Sequence, residues 1–283
     1  MITVRIVGGL GNQLFQYAAG LALARHHGVE LSLDCTFEPG SSRRLQLDQF
    51  EIPPALNIPD AMPRPAPLAR IRASIRKRLD KAKPWYARQL VIEPNIDYSP
   101  DLFKAPPDAY IRGYWQCHQY VERVEDLLRA QCIFRPGVAP VDEALASRMA
   151  EGDSVALHVR RGDYLRADTT MVLCGLPYYR AAVRELRRSL DEPQIFAFSD
   201  DPDWCRHHLA ELGVLNYVSL GSDLRDFRHM SLCRNHIISN STFSWWSAWL
   251  CSHPDKRVIA PRVWYKEKVH EIKDLIPESW QIV

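Results

Sequence analysis

The first 34 residues alternate between two hydrophobic periods, one typical of strands and the other typical of helices. Residues 2–7 place Ile, Val and Ile at alternate positions, which predicts a strand. After three glycines, residues 12–27 carry apolar side chains at helical spacing and end at Gly28, a typical helix-terminating residue. A second strand is predicted over 29–34. The chain therefore begins with a βαβ unit, which favours a parallel sheet.

The same alternation of strands and helices resumes after residue 140. Short apolar runs bounded by turn-forming residues predict strands, and helical spacing predicts helices between them. The predicted strands are 155–159, 195–199, 217–220, 236–239 and 258–260, and the predicted helices include 177–190 and 202–212. These elements predict an α/β protein, and such proteins bind ligands beyond the carboxyl ends of parallel strands.

The middle of the chain is less regular. Six prolines between residues 52 and 67 predict an irregular loop. Residues 68–83 then place apolar side chains on one face of a helix that is otherwise rich in arginine and lysine. Such a helix either contacts an anionic membrane surface or packs by its apolar face and leaves a solvated basic face. A strand over 109–112 and a helix over 121–131 are also predicted.

Length and composition limit the kind of protein this is. A chain of 283 residues suits one large domain or two of about 140 residues each. The turn-rich segment 135–140 is the best candidate linker, so the predicted domains are 1–140 and 141–283. The apolar fraction of 46% is ordinary for a globular protein. A net charge of +2 gives no global basis for nucleic-acid binding.

Cysteine usage and the chain start predict a cytoplasmic protein. The cysteines stand at 35, 117, 132, 174, 205, 233 and 251. They show no C-x-x-C spacing, which predicts reduced thiols rather than a zinc ribbon or a disulfide framework. The chain opens with a strand pattern, so no signal peptide is predicted, and no run of about 20 apolar residues predicts a membrane span. Peripheral contact with the inner membrane face remains open through residues 68–83.

The most informative chemistry follows the strand predicted over 155–159. His158 lies at its end, and Arg160, Arg161 and Asp163 follow at once. A guanidinium group stays charged and presents a planar fork of donors that matches phosphate oxygens. This pattern indicates an anion site. The alternative is that both arginines pair with surface carboxylates and that Asp163 starts a turn.

The glycine turn near the start resembles a dinucleotide fingerprint only in part. Gly9 and Gly11 have the required spacing, but Leu14 stands where the third glycine belongs. We expect a tight turn that exposes backbone N–H groups and brings Asn12 and Gln13 to the edge of a cleft. A purely structural glycine turn is the alternative.

A run of hydroxyl and amide side chains follows the strand predicted over 236–239. Ser241 and Thr242 open a helix whose free N–H groups, together with the hydroxyls, are suited to an anion. Ordinary N-capping by the same residues is the alternative. The tryptophans that follow, Trp245 and Trp246, are predicted to pack in the core, as is Trp249.

Carboxylates mark two more predicted strand ends. Asp200 and Asp201 follow 195–199, and Asp226 lies near the start of the helix after 217–220. A carboxylate can accept hydrogen bonds from a guanine edge or from ribose hydroxyls. The D-P-D sequence that begins at Asp201 is better explained as a helix cap with proline at the first position than as a metal site. Because no H-E-x-x-H or Cys/His cluster appears, we predict metal-independent chemistry.

Four motifs together resemble glycosyltransferase family 11, the α-1,2-fucosyltransferases, and in particular its short bacterial members. They are GGLGNQLFQYA from Gly8, HVRRGDY from His158, FSDD from Phe198 and SNSTFSWWSAWL from Ser239. More distantly, they resemble the α-1,6- and protein O-fucosyltransferases. The resemblance implies a GT-B-like fold: two Rossmann-like α/β domains with a nucleotide-sugar cleft between them. The C-terminal domain would hold the donor, and the N-terminal domain would face the acceptor.

The resemblance also implies an activity. The expected reaction is inverting, metal-independent transfer of L-fucose from GDP-fucose to the 2-hydroxyl of a terminal galactose, without a cofactor. The expected acceptor is a galactose-terminated oligosaccharide or a lipid-linked glycan, as in O-antigen synthesis, and no nucleic-acid partner is expected. The alternative function is a non-catalytic GDP- or GDP-sugar-binding protein that regulates glycan assembly.

Residue roles follow from the resemblance, motif by motif. Arg160 would bind the β-phosphate of GDP-fucose, His158 would lie near the nucleotide, and Asp226 would bind guanine N1 and N2. The phosphates would rest on the start of the last helix, at Ser241, Thr242 and the N–H of Phe243.

The remaining implied roles concern catalysis and the organisation of the pocket. Asn12 would lie between the sugar and the acceptor. Arg161, Asp163 and Asp200 would organise the pocket, and Asp163 is also a candidate catalytic residue. Asp34, Asp163 and Asp200 are the candidates for a catalytic base. Alternatively, Asn12 orients the acceptor and the departing diphosphate takes the proton.

Overall fold

The protein forms two compact units, residues 1–133 and 134–283. This division lies close to the one predicted after residue 140. The computed structural model describes residues 1–37, 43–53, 56–57, 80, 82–166, 169–213, 215–266 and 272–283. The basic helix predicted over 68–83 lies almost entirely outside the described residues. None of the described helices is long and apolar enough to span a membrane.

The N-terminal unit contains a parallel sheet. Its described strands are β1 (Ile2–Arg5), β2 (Leu31–Asp34), β3 (Leu56–Asn57), β4 (Leu90–Ile92) and β5 (Tyr110–Arg112), in the order β3-β2-β1-β5-β4. Its described helices are α1 (Leu10–His27), α2 (His118–Glu122) and α3 (Glu125–Gln131). The opening βαβ unit is confirmed, and α1 ends at Gly28 as predicted. The single helix predicted over 121–131 is wrong, because Val124 leaves the helical conformation between α2 and α3.

Two buried glutamines of α1 connect the loops around it. Gln16 accepts a hydrogen bond from the N–H of Val7 at 2.8 Å and donates one to the carbonyl of Gly113 at 3.1 Å. Gln13 donates to the carbonyls of Gly8 and Arg44. The expectation that Gln13 reaches the edge of a cleft is therefore wrong: its side chain is fully buried and its amide satisfies backbone groups.

The C-terminal unit contains a second parallel sheet. Its described strands are β6 (Ser154–Val159), β7 (Gln194–Ser199), β8 (Leu215–Val218), β9 (Asn235–Ile237), β10 (Val258–Ala260) and β11 (Gln281–Ile282). Its described helices are α4 (Glu143–Ala150), α5 (Leu176–Leu186), α6 (Pro202–His208), α7 (Asp223–Leu232) and α8 (Thr242–Leu250). The five predicted strands are confirmed within three residues, whereas α4 and β11 had no expected counterpart. In the N-terminal unit, β4 was likewise not expected, and β3 lies inside the segment predicted as an irregular loop.

The order of this second sheet, β11-β10-β9-β6-β7-β8, has a reversal at its centre. The chain runs outward from β6 through β7 to β8 and then returns to the other side of β6 as β9. Parallel sheets bind ligands beyond the carboxyl ends of the strands at such a reversal. The β6–β9 junction is therefore the place where this unit is expected to hold a ligand.

Helix α8 explains how the junction is kept rigid. Six of its nine residues are buried, and they include the hydroxyl side chains of Ser244 and Ser247. Trp245 and Trp246 are completely buried and Trp249 nearly so, which confirms the predicted core packing. Because these large side chains fix the helix, its first turn has a defined position at the carboxyl end of β9.

Replacing Gln16 by leucine tests the buried amide of α1. The N–H of Val7 and the carbonyl of Gly113 would each lose a partner in a partly buried place. We expect the free energy of unfolding to fall by about 1–3 kcal/mol, measured by urea denaturation. The same change at the exposed Gln194 of β7 should have little effect; equal losses in both variants would refute this role of the amide.

Candidate functional site

The register of the central strands brings the charged residues together. Val159 of β6 pairs with Ser199 of β7, so Arg160 and Asp200 leave the sheet side by side. On the other side, Leu157 pairs with Ile237 of β9. The loops after β6, β7 and β9 therefore meet at one edge of the sheet, where the polar residues of all three are concentrated.

Arg160 is held between two carboxylates. Its Nε and Nη2 lie 2.9 and 2.8 Å from Asp163 Oδ1, and its Nη1 lies 3.0 Å from Asp200 Oδ2. A guanidinium group has five N–H donors, and these contacts engage each nitrogen once. The pairing fixes the plane of the group and leaves one further N–H on each terminal nitrogen. Carboxylate pairing and anion binding are therefore compatible in this geometry.

Asp200 also shapes the loop that carries Arg160. Its two oxygens accept the backbone N–H groups of Arg161 at 2.8 Å and Gly162 at 3.1 Å. A Cβ atom at position 162 would lie 2.7 Å from Asp200 Oδ2, so only glycine allows this approach. One carboxylate thus sets both the backbone of the loop and the position of its guanidinium group.

Arg161 has a different environment from Arg160. Its Nε donates to Asp201 Oδ2 at 3.0 Å, and its guanidinium carbon lies 4.2 Å from the centre of the Trp204 ring. Asp201 caps α6 by accepting from the N–H of Trp204, and Pro202 follows as the first residue, which confirms the predicted cap. Arg161 therefore packs the start of α6 against the loop.

A buried histidine spans the reversal of the sheet. His158 Nδ1 lies 2.9 Å from Ser239 Oγ, so this hydrogen bond joins the ends of β6 and β9. Burial, reinforced by the charge of Arg160, lowers the pKa of His158 to about 3. The imidazole is therefore neutral, and it contributes a polar contact at this edge without a positive charge.

The first turn of α8 lies beside this histidine. Ser241 caps the helix, its hydroxyl accepting from the N–H of Phe243 at 3.3 Å. Thr242 is the first helical residue. The ring of Phe243 packs on His158 with centroids 5.6 Å apart. A helix N-terminus carries partial positive charge, so Arg160 and α8 are two sources of it around one strand junction.

Asp226 on α7 is linked to this cluster by aromatic packing. Its neighbour Phe227 contacts Phe243 with centroids 5.1 Å apart. Asp226 Oδ1 accepts from the N–H of Leu220 at 3.2 Å. Burial raises the pKa of Asp226 to about 6, although this hydrogen bond and Arg225 oppose the rise. A half-buried carboxylate whose pKa is raised this far is typical of functional sites.

Three supporting residues of the site were not expected. Ser239 holds His158, and the hydroxyl of Tyr164 donates to the carbonyl of Asn240 at 2.9 Å, which joins the loop after β6 to the loop after β9. Asn240 is fully buried and donates to the carbonyls of Val172 and Trp264. These residues lie inside the recognised motifs, but their partners are far away in sequence.

The N-terminal unit carries its own polar cluster beyond β1 and β5. Asn12 Oδ1 accepts from Gln116 Nε2 at 3.0 Å. Asp34, at the end of β2, accepts from Arg5, Thr36 and Tyr110. Burial alone would raise the pKa of Asp34, but these hydrogen bonds and the charge of Arg5 outweigh it and hold the pKa below the usual value. Because its pKa is lowered, Asp34 is a poor base for a hydroxyl proton.

Comparison with known proteins places this arrangement in a family. The model of the glycosyl transferase family 11 matches residues 78–282, which is most of the chain. The chain belongs to this family. The expected class of enzyme is therefore confirmed as a glycosyltransferase.

Within the described residues, no group of three or more His, Cys, Asp or Glu side chains is arranged to hold a metal ion.

Two bacterial relatives are similar over nearly their whole length, and a mouse relative is similar over about two thirds of its own. An α-1,2-colitosyltransferase of Escherichia coli is 28% identical over 99% of this chain and 98% of its own. The O-antigen biosynthesis glycosyltransferase WbnK of Escherichia coli is also 28% identical, over 91% of this chain and 93% of its own. A mouse galactoside 2-α-L-fucosyltransferase, Sec1, is 25% identical over 88% of this chain and 64% of its own.

Solved structures support the fold. The α-1,6-fucosyltransferase NodZ, crystallised with GDP, has a TM-score of 0.52 and 16% identity, and the match covers 88% of this chain and 91% of that one. A variant of Arabidopsis thaliana FUT1 in complex with GDP has a TM-score of 0.50 and 13% identity, with 92% and 70% coverage. Together with the two parallel sheets, these likenesses confirm the predicted GT-B-like α/β fold.

Replacing Gly162 by alanine tests the role of Asp200. The added Cβ would push the Asp200 carboxylate away and shift Arg160, so we expect transferase activity to fall about 10- to 100-fold while the protein stays folded. Gly175→Ala is the matched control, because a Cβ there meets Pro177 at an ordinary 3.5 Å. Wild-type turnover in Gly162→Ala would show that the Asp200 contact does not set the site.

Proposed function

We propose that the protein transfers L-fucose from GDP-fucose to the 2-hydroxyl of a terminal galactose, with inversion at the sugar carbon. The observation that carries this proposal is that Arg160, which follows β6, and the start of α8, which follows β9, lie after adjacent strands at the reversal of the sheet. The names of its relatives, which include galactoside α-1,2-fucosyltransferases and an O-antigen glycosyltransferase, support the same reaction.

The C-terminal unit is the proposed donor-binding domain. The diphosphate would accept the remaining N–H groups of Arg160, the hydroxyls of Ser241 and Thr242, and the Phe243 N–H. The phosphate would share that N–H with the Ser241 hydroxyl, which accepts it at 3.3 Å. Asp226 would accept guanine N1–H and N2–H. His158 packs against the ring of Phe243 as a neutral imidazole. Arg161, Asp163 and Asp200 hold these groups in place through the contacts described above.

Charge development explains why these groups would accelerate the reaction. As the bond from the fucose anomeric carbon to the phosphate oxygen lengthens, the sugar becomes cationic and GDP becomes more negative. A guanidinium group already fixed by two carboxylates needs no reorganisation to stabilise that charge. Donors that interact more strongly with the departing diphosphate than with bound GDP-fucose lower the barrier.

The N-terminal unit is the proposed acceptor-side domain. Asn12 would orient the attacking hydroxyl, and the departing diphosphate would take its proton. This version without a side-chain base is favoured because Asp34, Asp163 and Asp200 all accept hydrogen bonds from cationic side chains. Asp163 is accordingly assigned to hold Arg160 rather than to accept a proton.

Metal independence is part of the proposal, since Arg160 and α8 supply positive charge where other transferases use a divalent cation. Turnover in excess EDTA should equal turnover without it. A loss of turnover in EDTA that is restored only by added Mg²⁺ or Mn²⁺ would refute this part.

We further propose a cytoplasmic location, with glycan or lipid-linked glycan as the acceptor and no nucleic-acid partner. Contact with the membrane through residues 68–83 is proposed as well.

A second donor is favoured by the colitosyltransferase relative. Colitose is the 3-deoxy counterpart of L-fucose, so GDP-colitose would place the same diphosphate and guanine in the site. Parallel assays with GDP-fucose and GDP-colitose, on a galactose-terminated acceptor, decide between the donors. If GDP binds but neither donor is turned over, the alternative of a non-catalytic GDP-sugar-binding protein is supported instead.

Removal of the Arg160 guanidinium is expected to lower kcat by at least about a hundredfold, the effect of losing one transition-state donor. Arg160→Lys should not restore the rate, because a point charge cannot contact both carboxylates and a phosphate in one plane. Arg180→Ala removes an exposed arginine that pairs with Glu211 and serves as the control. Turnover near the wild-type rate in Arg160→Ala would reject this role.

Asp226 is expected to make guanine recognition depend on pH. The ionised carboxylate accepts two N–H groups, whereas the protonated form cannot, so selectivity should fall below about pH 6. The measurement is the ratio of Kd values for IDP and GDP between pH 5 and 8, because the phosphates of both ligands titrate alike. The ratio should be high above pH 6 and fall as the pH drops.

The Asp226→Asn variant supplies the control for that titration. Its Kd ratio should be small and independent of pH. Because burial raises the carboxyl pKa, the stability contributed by this group is lost as the pH rises through 6. The Asn variant should therefore unfold at an equal or slightly higher temperature at pH 7.5. A wild-type-like ratio in this variant would show that guanine is bound elsewhere.

A further inference from the structure

The turn that follows β5 is bound by a single carboxylate from the neighbouring strand. Glu93 directly follows β4, and its own N–H donates to the carbonyl of Arg112 at 2.9 Å. Its two carboxylate oxygens accept the N–H groups of Tyr114 at 2.6 Å and of Trp115 at 2.8 Å. Two consecutive peptide groups of one turn are therefore held by one side chain.

The backbone of this turn needs such support. Trp115 has a φ angle of 54°, in the left-handed region that bulky side chains rarely adopt. An added Cβ at Gly113 would collide with Glu93, so the turn lies directly against the carboxylate side chain. Unfavourable backbone conformations persist where the surroundings over-determine them, and they concentrate at functional sites. Here the two hydrogen bonds that the Glu93 carboxylate accepts hold the turn in this conformation.

The turn also reaches the residue proposed to orient the acceptor. The next residue after Trp115 is Gln116, whose amide donates to Asn12 Oδ1 at 3.0 Å. On its other side, the carbonyl of Gly113 accepts from the buried Gln16. A displacement of the turn would thus be transmitted to Asn12 through one peptide unit and one hydrogen bond.

We propose that Glu93 is a positioning residue for the transfer reaction, whose ionised carboxylate holds the Gly113–Gln116 turn and thereby the orientation of Asn12. The proposal rests on the proposed function, because it assigns Asn12 to the acceptor. Glu93 transfers no proton to or from the substrate. Its effect on the reaction is carried by the backbone of the turn and by the hydrogen bond from the Gln116 amide to Asn12.

The environment of Glu93 makes this support sensitive to pH. Burial raises the pKa of Glu93 to about 7, against the two backbone hydrogen bonds, which lower it. Among the described residues, the titratable group that faces it from α2 is the Tyr120 hydroxyl, and Arg112 on β5 is exposed. Below pH 7 the carboxyl gains a proton, and one oxygen then carries a hydrogen where it had accepted an N–H. The acceptor-side efficiency should therefore fall as the pH drops through 7.

The test is the pH profile of kcat/KM for the acceptor, measured from pH 5.5 to 8.5 at a saturating GDP-fucose concentration. Saturation with the donor removes the contribution of Asp226. For the wild-type protein, kcat/KM for the acceptor should fall as the pH drops through 7, which gives the profile a limb near that pH. Glu93→Gln should be about 10- to 100-fold less efficient at pH 8 and show no such limb, while its Kd for GDP stays unchanged. Glu125→Gln, the same chemical change at an exposed carboxylate, should keep the wild-type profile.

A second variant keeps the test decisive if Glu93→Gln folds poorly. Gln116→Ala breaks the same relay at its far end without touching the carboxylate, and it should lower the acceptor efficiency and weaken the limb near pH 7. In the double variant the two losses should not multiply, because they interrupt one relay.

Three results would overturn the proposal: an intact limb in Glu93→Gln, an equal loss of GDP affinity, or multiplying losses in the double variant. Failure of the proposed function is distinguishable, because the wild-type protein would then transfer no sugar at any pH.

Discussion

Both units depend on one kind of interaction: a carboxylate after one strand accepts two consecutive backbone N–H groups from the loop after the neighbouring strand. Asp200 binds the N–H groups of Arg161 and Gly162, and Glu93 binds those of Tyr114 and Trp115. In each case a glycine permits the approach. Each carboxylate thereby converts a flexible loop at the edge of a parallel sheet into a rigid support.

The two carboxylates differ in what neutralises them. Asp200 also contacts the guanidinium of Arg160, so its charge is balanced by a cationic side chain. Glu93 is paired with peptide groups, and burial raises its pKa to about 7. The hydrogen-bonding pattern around Glu93 is therefore expected to respond to pH near 7. This difference follows from local charge rather than from the fold.

Local patterns in the sequence predict those features that depend on neighbouring residues. The apolar run of β6, the period of α1 and the cap at Asp201 are all encoded within a few positions, and the structure confirms them. The motifs that begin at His158, Phe198 and Ser239 also meet as expected, because parallel strands bring their carboxyl ends to one edge. Strand β4 was missed, since three residues after an irregular segment show no period.

Long-range contacts could not be predicted in this way. Gln13 looked like a surface amide, but its partner carbonyl at Arg44 lies 31 positions away. Glu93 follows the short apolar run 90–92, which is the one local sign of a strand-end carboxylate. Its partners lie 21 and 22 positions later, and nothing in either segment announces the pairing.

The most direct test of the account is a crystal structure of the protein with GDP. We expect β-phosphate oxygens at about 3 Å from Arg160 and from the Phe243 N–H. Asp163 and Asp200 should still contact the guanidinium group, and guanine should be bound by Asp226. A diphosphate lodged away from Arg160 and the start of α8 would contradict it.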